Sequence, residues 1–185
     1  MCPDRIRQVP RNAASSDPRS EFEKDYQRII SSASFRRLQD KTQVFPLDKS
    51  DFIRTRLTHS LEVANFARSL GRLIGERILS EKKDPDYDIR MREDMCAVLE
   101  CAGLLHDIGN PPFGHFGEDA IRDWFEKNLY TIGYEDGVLA DALSDQQIAD
   151  FKHFEGNTQA LRVVTKLHFL VDEHGMNLKI GRAHV

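Results

Sequence analysis

Apolar residues recur three and four positions apart through most of this chain, and no clear run of strand-like alternation interrupts them. The longest such stripe covers residues 57–80, and a second covers residues 90–107. A stripe of this period predicts an amphipathic helix that buries one face against its neighbours. The pattern therefore predicts an all-α fold.

Local signals place further helices around those two. Ser20 and Glu23 stand at capping-box spacing, and the apolar period behind them predicts a helix to about Asp40. Other helices are predicted over residues 117–129, with Ile121, Trp124 and Phe125 buried, over residues 144–151 behind a second capping box, and over residues 157–173 with Asn157 as a cap. Residues 130–143 hold two glycines and are predicted to form a loop.

The composition favours one soluble domain. A chain of 185 residues with 40% hydrophobic content can bury one core, and its net charge of −4 argues against general nucleic-acid coating. Cys96 and Cys101 lie in an apolar helical pattern, which predicts two buried free thiols rather than a disulfide framework. We expect no signal peptide and no membrane span, since the first residues are polar and no apolar run reaches about 18 residues. The expected location is the cytoplasm.

An adjacent His106–Asp107 pair ends the second apolar stripe, and His59 stands near the start of the first. Imidazole nitrogens and a carboxylate suit a divalent first-row metal, and an incomplete protein shell leaves positions for water and substrate. The turn at residues 109–112 leaves that helix end open. We predict a metal site at His59, His106 and Asp107 that supports hydrolysis, with a structural ion pair as the alternative.

His115 and Glu118 follow the same turn at a spacing of three residues. On one helical face such a pair lets the carboxylate orient the imidazole and raise its basicity. Their closeness to the predicted metal site favours proton transfer over the alternative, an exposed surface pair.

Four segments of the chain resemble a known enzyme family. They are RIISSASFRRLQDKTQVF (residues 28–45), RTRLTHSLEV (54–63), GLLHDIGNPPFGHFG (103–117) and FEGNTQALR (154–162). Their order and content are similar to the deoxyguanosinetriphosphate triphosphohydrolase branch of the HD-domain phosphohydrolases. The resemblance implies an HD-domain helical bundle that cleaves a deoxynucleoside triphosphate to deoxynucleoside and tripolyphosphate.

The resemblance also implies roles for particular residues. It places a divalent metal on His59, His106, Asp107 and one later aspartate, with the identity (Mn, Mg, Fe, Co or Ni) open. It places His115 and Glu118 in proton transfer beside the metal. It further implies that Gln43 reads the sugar 3′-hydroxyl and that Arg56 holds phosphate.

Chemistry adds further candidates for the substrate site. Arg54 and Lys41 would help to neutralise the triphosphate, although each also fits a solvated helix face. Gln43 fits a turn-capping amide equally well, and Asn157 fits either the pocket or a helix cap. In our hypothesis His115 donates the proton to the leaving 5′-oxygen.

The chain departs from the family pattern near its end, because no aspartate follows Asp172. We therefore expect a fragment truncated at the C-terminus: an N-terminal arm (1–19), the N-terminal part of an HD phosphohydrolase domain (20–178) and a foreign tail (179–185). Such a fragment would bind metal weakly and, with apolar faces uncovered, form a homo-oligomer.

Two other functions stay open on the sequence. One is another HD phosphohydrolase, acting on a nucleoside monophosphate, an alarmone or a cyclic dinucleotide. The other is a non-catalytic HD module that binds a nucleotide effector or single-stranded nucleic acid. The intact set of metal and proton-transfer residues argues against the second function, because a binder needs no proton donor.

Overall fold

The computed structural model describes residues 17–43, 52–82, 84–168 and 175–179. Within these ranges the chain is mostly helical, which confirms the predicted all-α class. The α-helices are α1 (Glu21–Ser31), α2 (Ala33–Arg36), α3 (Arg56–Glu81), α4 (Ile89–Leu105), α5 (Gly114–Asn128), α6 (Asp145–Lys152) and α7 (Gly156–Arg162). Short 3-10 helices cover Arg37–Asp40 and Leu139–Ala142, a π-helical turn covers Val163–Leu167, and β1 (Gly133–Tyr134) pairs antiparallel with β2 (Gly137–Val138).

Helix α1 begins where its capping box predicts and ends earlier than its apolar pattern predicts. The Ser20 hydroxyl accepts from the Glu23 N–H, and the Glu23 carboxylate accepts from the Ser20 N–H. At Ser32 the backbone is extended (φ −75°, ψ 146°), and its hydroxyl accepts from the Phe35 N–H to start α2. One helix to Asp40 is therefore wrong, because the Ser32 side chain competes with the helical backbone for hydrogen bonds.

Helices α3 and α4 pack together through small residues. Ala64 lies against Gly103 and Gly71 lies against Cys96, so the two helices run antiparallel. A Cβ on Gly103 would stand 2.6 Å from the Cα of Ala64, which leaves no room for a side chain. The start of α3 therefore lies beside the end of α4.

The large apolar residues of α3 lie on a different face. Phe66, Leu70 and Leu73 are 72%, 56% and 70% exposed. The helix predicted over residues 57–80 is confirmed, but within its apolar stripe the small Ala64 packs on α4, whereas the large Leu70 and Leu73 are exposed. The spacing of apolar residues predicts a helix with an apolar face, but it does not predict which element packs on that face.

The core forms between α1, α2, the α3–α4 pair and the end of the described chain. Its members include Ile29, Phe35, Leu38, Ala64, Cys101, Leu104, Ile108, Val164, Met176 and Leu178. Cys96 and Cys101 are buried and free, as predicted. Burial raises the pKa of the Cys101 thiol to about 12, so this sulfur is a packing group and not a nucleophile.

Helix α5 begins at Gly114, slightly before the predicted start, and packs differently from the prediction. Phe125 stacks on Phe151 of α6 with ring centroids 4.4 Å apart. Trp124 is 50% exposed, so its predicted burial is wrong. Its indole meets the Phe125 ring edge-on instead.

The segment between α5 and α7 is more structured than predicted. The predicted loop over residues 130–143 contains the β1–β2 hairpin, whose strands are too short to show alternation in sequence. The capping box of Ser144 and Gln147 is confirmed at the start of α6. Glu155, not Asn157, caps α7, because its carboxylate accepts from the Thr158 N–H. Residues 169–173 of the last predicted helix lie outside the described residues.

Residues 175–179 return to the core beside α1. Gly175 has a left-handed backbone (φ 59°) and packs against the Val164 carbonyl. The buried carboxylate of Asp25 accepts from the Lys179 N–H at 2.5 Å. Most of the predicted arm (1–16) and the rest of the predicted tail (180–185) lie outside the described residues. In the described part of the chain, every helix is too short or too polar to cross a bilayer.

The α3–α4 contact yields a stability prediction. Replacing Gly103 by alanine puts a methyl group against the Ala64 backbone, which cannot move aside as a side chain would. We expect Gly103→Ala to lower the free energy of unfolding by about 1–3 kcal/mol, measured by urea denaturation. Gly133→Ala is the matched control, since nothing lies within 4 Å of a Cβ at Gly133. Equal stability of the two variants would contradict the close contact.

Candidate metal centre and proton-transfer pair

The antiparallel α3–α4 pair brings three predicted ligands together. His59 lies in the first turn of α3, and His106 and Asp107 directly follow α4. One ligand atom from each of the three lies within 4.8 Å of the others. The two imidazole rings meet edge-on with centroids 5.2 Å apart. This is the convergence that the sequence predicts.

Hydrogen bonding leaves one nitrogen of His106 ready for a cation. Its Nδ1 lies 2.7 Å from the Gly103 carbonyl oxygen. A carbonyl only accepts, so Nδ1 carries the proton in this bond and Nε2 keeps its lone pair. Nε2 lies 3.7 Å from Asp107 Oδ2, on the side of the ligand cluster. A backbone carbonyl that fixes a histidine in this way is the usual support for a metal-binding imidazole.

The two oxygens of Asp107 have different surroundings. Oδ1 accepts from the side-chain amide of Asn110. Oδ2 lies 3.0 Å from Nη1 of Arg56, and both side chains are less than a tenth exposed. The pair is close but poorly aligned, because Oδ2 and Arg56 Nε are buried without a hydrogen bond among the described residues.

These features fit a divalent cation. An unsatisfied buried carboxylate oxygen is costly, and a bound cation would satisfy it. Two imidazoles and one carboxylate are a donor set for several first-row metals. His59, His106 and Asp107 could therefore hold a metal ion, and in the described part of the chain theirs is the only such group of donors.

His115 and Glu118 form a hydrogen-bonded pair in the first turn of α5. His115 Nδ1 lies 2.8 Å from Glu118 Oε2. The histidine side chain is 90% exposed, whereas that of the glutamate is 4% exposed. The hydrogen bond and charge of Glu118 raise the pKa of His115 above its usual range. An exposed imidazole with a raised pKa, held by a buried carboxylate, is suited to proton donation.

Arg56 connects this pair with the ligand cluster. One guanidinium nitrogen faces Asp107, and another packs against Gly114, next to His115. Gly114 has a left-handed backbone (φ 56°), and a Cβ there would collide with Arg56. The glycine therefore serves both the backbone turn and the approach of the arginine.

Two predicted substrate residues, Lys41 and Gln43, lie on the stretch of chain that pairs with residues 54–56. Thr42 pairs with Thr55 in an antiparallel bridge, and the Arg56 N–H donates to the Lys41 carbonyl at 2.8 Å. Lys41 Nζ donates to the Asn110 carbonyl at 2.6 Å. Burial and the charge of Arg56 lower the pKa of Lys41. Gln43 continues the same segment, and its backbone N–H donates to the Arg54 carbonyl at 3.4 Å.

The other two predicted substrate residues lie on the surface. Arg54 is exposed, with Nε 3.5 Å from Glu62 Oε1. The exposed Asn157 donates from its amide to Glu155 at 2.7 Å. Neither contacts the ligand cluster through a described hydrogen bond.

Sequence reasoning missed two residues beside the site. Asn110 contacts Asp107 with its side chain and Lys41 with its carbonyl. The backbone N–H of Gly156 donates to Glu118 Oε1 at 2.7 Å. Asn110 was visible only as a turn residue, and a lone glycine before a helix carries no signal for such a bond.

Comparison with known proteins gives a consistent picture. The HD domain profile matches residues 56–175. A Listeria innocua protein named "Deoxyguanosinetriphosphate triphosphohydrolase-like protein" is 58% identical over 164 residues, covering 89% of this chain and 35% of that protein. A Pseudomonas aeruginosa protein of the same name is 49% identical over 86% of this chain and 34% of its own length. A Yersinia enterocolitica "Deoxyguanosinetriphosphate triphosphohydrolase" is 42% identical over 79% of this chain and 33% of its own.

The chain thus spans about a third of the length of these curated relatives. The matched region contains His59, His106 and Asp107 together with the His115–Glu118 pair. By this match, and by its all-α fold, the chain belongs to the HD-domain family.

Proposed function

We propose that this chain is part of a metal-dependent dNTP triphosphohydrolase, which hydrolyses dGTP or another dNTP to deoxynucleoside and tripolyphosphate. The observation that carries the proposal is the convergence of the His59–His106–Asp107 cluster and the His115–Glu118 pair on Arg56. The names of relatives at 42–58% identity support the substrate class. In this proposal residues 20–178 belong to the HD domain of a longer enzyme, with residues 1–19 as an arm and 179–185 as a tail.

The metal would be held by His106 through Nε2, by Asp107 through Oδ2 and by a ring nitrogen of His59. When bound, a divalent ion such as Mn, Mg, Fe, Co or Ni supplies Lewis-acid polarisation and a water of lowered pKa. The three residues fix its position beside Arg56, where the triphosphate would lie.

The reaction needs one proton at the leaving oxygen. A water oxygen bonds to the α-phosphorus and releases one proton to the solvent, the bond from that phosphorus to the 5′-oxygen breaks, and the 5′-oxygen takes up a proton to become a hydroxyl. His115 donates this proton, since its exposed ring is hydrogen-bonded to Glu118, which raises its pKa. Glu118 is a positioning residue here, because its buried carboxylate touches His115 and not the solvent.

The basic and amide side chains would bind the substrate. Arg56 and Lys41 lie beside the ligand cluster and would neutralise phosphate oxygens. Gln43, on the same extended stretch, would bind the sugar 3′-hydroxyl. Arg54 and Asn157 would contribute at the rim, in keeping with their exposure.

Location and assembly remain predictions. We expect a cytoplasmic homo-oligomer, since the exposed Phe66, Leu70 and Leu73 form an apolar stripe of the kind that mediates association. Single-stranded nucleic acid or a nucleotide effector stays a candidate partner.

Product analysis tests the proposed reaction. With dGTP and Mn²⁺ we expect equal amounts of deoxyguanosine and tripolyphosphate by ³¹P NMR, with label from ¹⁸O-water in the tripolyphosphate. Release of orthophosphate or pyrophosphate would indicate a different phosphohydrolase. Binding of dGTP without any turnover would favour a non-catalytic module.

Removing a ligand tests the metal site. We expect His59→Ala and His106→Ala each to lower Mn²⁺ affinity by at least about tenfold, because each removes a donor from the cluster. Free Mn²⁺ can be counted by its EPR signal, with the fold checked by circular dichroism. His153→Ala is the control, since His153 is exposed at the end of α6. Unchanged affinity in the two ligand variants would contradict the site.

The pH profile tests the role of His115. Glu118 and Asp119 raise its pKa and Arg56 opposes them, so a proton donor at this position loses activity as pH rises through the raised pKa. Glu118→Gln removes the carboxylate that does most to raise the pKa of His115. The alkaline limb of the kcat profile should therefore move to lower pH. Glu126→Gln, an exposed residue of α5, should leave the limb in place.

His115→Ala provides the reference for that profile. It should lower kcat by about 10²–10⁴-fold and abolish the limb, with Mn²⁺ content intact. A His115→Ala variant that keeps near-normal turnover would exclude the donor role.

A further inference from the structure

Two carboxylates of the site are held in the same way. Asp107 and Glu118 are both buried. In each carboxylate, one oxygen faces the proposed metal site or the proposed proton donor, and the other accepts a hydrogen bond from a neighbouring residue. Asn110 donates from its side-chain amide to Asp107 Oδ1, which leaves Oδ2 on the ligand side. Gly156 donates from its backbone N–H to Glu118 Oε1, which leaves Oε2 for His115.

The two holding residues are in contact with each other. A Cβ on Gly156 would collide with the side-chain oxygen of Asn110 and would stand 2.7 Å from Glu118 Oε1. Gly156 lies in the first turn of α7 and is not among the residues with a left-handed backbone. Space, not backbone conformation, therefore requires glycine at this position.

Asn110 is itself fixed on two further sides. Its backbone N–H donates to the Asp107 carbonyl at 3.1 Å. Its own carbonyl accepts from Lys41 Nζ at 2.6 Å. The Asn110 amide lies between Asp107 and Gly156, since its nitrogen donates to Asp107 and its oxygen faces Gly156.

We propose that Asn110 and Gly156 are positioning residues that join the metal-binding half of the site to the proton-transfer half through their direct contact. Asn110 selects which Asp107 oxygen faces the cation, and Gly156 selects which Glu118 oxygen faces His115. A change that displaces either Asn110 or Gly156 is then expected to displace both carboxylates. The inference rests on the proposed function, since it assumes a cation at His59, His106 and Asp107.

Mn²⁺ affinity of the chain without nucleotide provides the test. Asn110→Ser removes the amide without adding bulk, and we expect about a tenfold loss of affinity, typical of losing a partner of a metal ligand. Gly156→Ala should cause a similar loss although Gly156 contacts no ligand, because its methyl group displaces the Asn110 amide. In the Asn110→Ser background the methyl group meets no amide, so adding Gly156→Ala should change affinity by no more than roughly twofold.

Asn128→Ser is the matched control. The Asn128 amide donates to the Trp124 carbonyl on α5, away from the ligands, and its loss should leave Mn²⁺ binding unchanged. Circular dichroism and thermal melting show whether each variant keeps its fold. Because Asn110→Ser replaces the amide by a smaller hydroxyl, it provides a measurement even where Gly156→Ala unfolds the chain.

The outcomes separate the two proposals. Parental Mn²⁺ affinity in Asn110→Ser, or an equal loss from Gly156→Ala in both backgrounds, would overturn the coupling and leave the metal site standing. A parent chain that binds no Mn²⁺ would overturn the proposed function and the coupling together. A loss in each single variant with no further loss in the double variant supports the coupling.

Discussion

The close contact between α3 and α4 determines where the chemistry can occur. Gly103 lets the Ala64 backbone approach, and three residues later His106 meets His59 from the start of the other helix. Glycine inside a helix costs about 1 kcal/mol relative to alanine, so Gly71, Gly75 and Gly103 each weaken their own helix. The close packing of α3 on α4 that these glycines permit must offset this cost. The Gly103 carbonyl also orients His106, so one position sets both the helix spacing and the direction of a ligand.

The buried charges around Asp107 are a weak source of stability. A buried ion pair must overcome the desolvation of both partners, and a pair of apolar residues is often as stable. Here the Arg56–Asp107 pair is also misaligned, with an unsatisfied atom on each side among the described residues. A fold selected for stability alone would align or remove such a pair. Unsatisfied buried polar groups of this kind are typical of a site whose remaining partners are ligands.

Local signals in the sequence predicted helices well and packing poorly. The two capping boxes fixed the starts of α1 and α6, since their hydrogen bonds involve residues three apart. Trp124 was expected in the core and Ser32 inside a helix, and both expectations were wrong. Which face of a helix is covered depends on elements distant in sequence, and a serine that ends a helix looks the same as one on a helix surface. The HD motif was informative because its donors could not be explained by packing.

The same distinction explains which site residues were predictable. His59, His106, Asp107, His115 and Glu118 carry chemistry in their side chains, so their identity and spacing suggested a role. Asn110 and Gly156 act only through their relation to others: one as a donor to a carboxylate, the other as a backbone N–H in a space too small for a methyl group. Glycine usually indicates a left-handed turn, yet Gly156 has none. Its requirement arises from two side chains that reach it from the turn after α4 and from α5. The arrangement of the two carboxylates is therefore a property of the folded chain, and neither motif contains it alone.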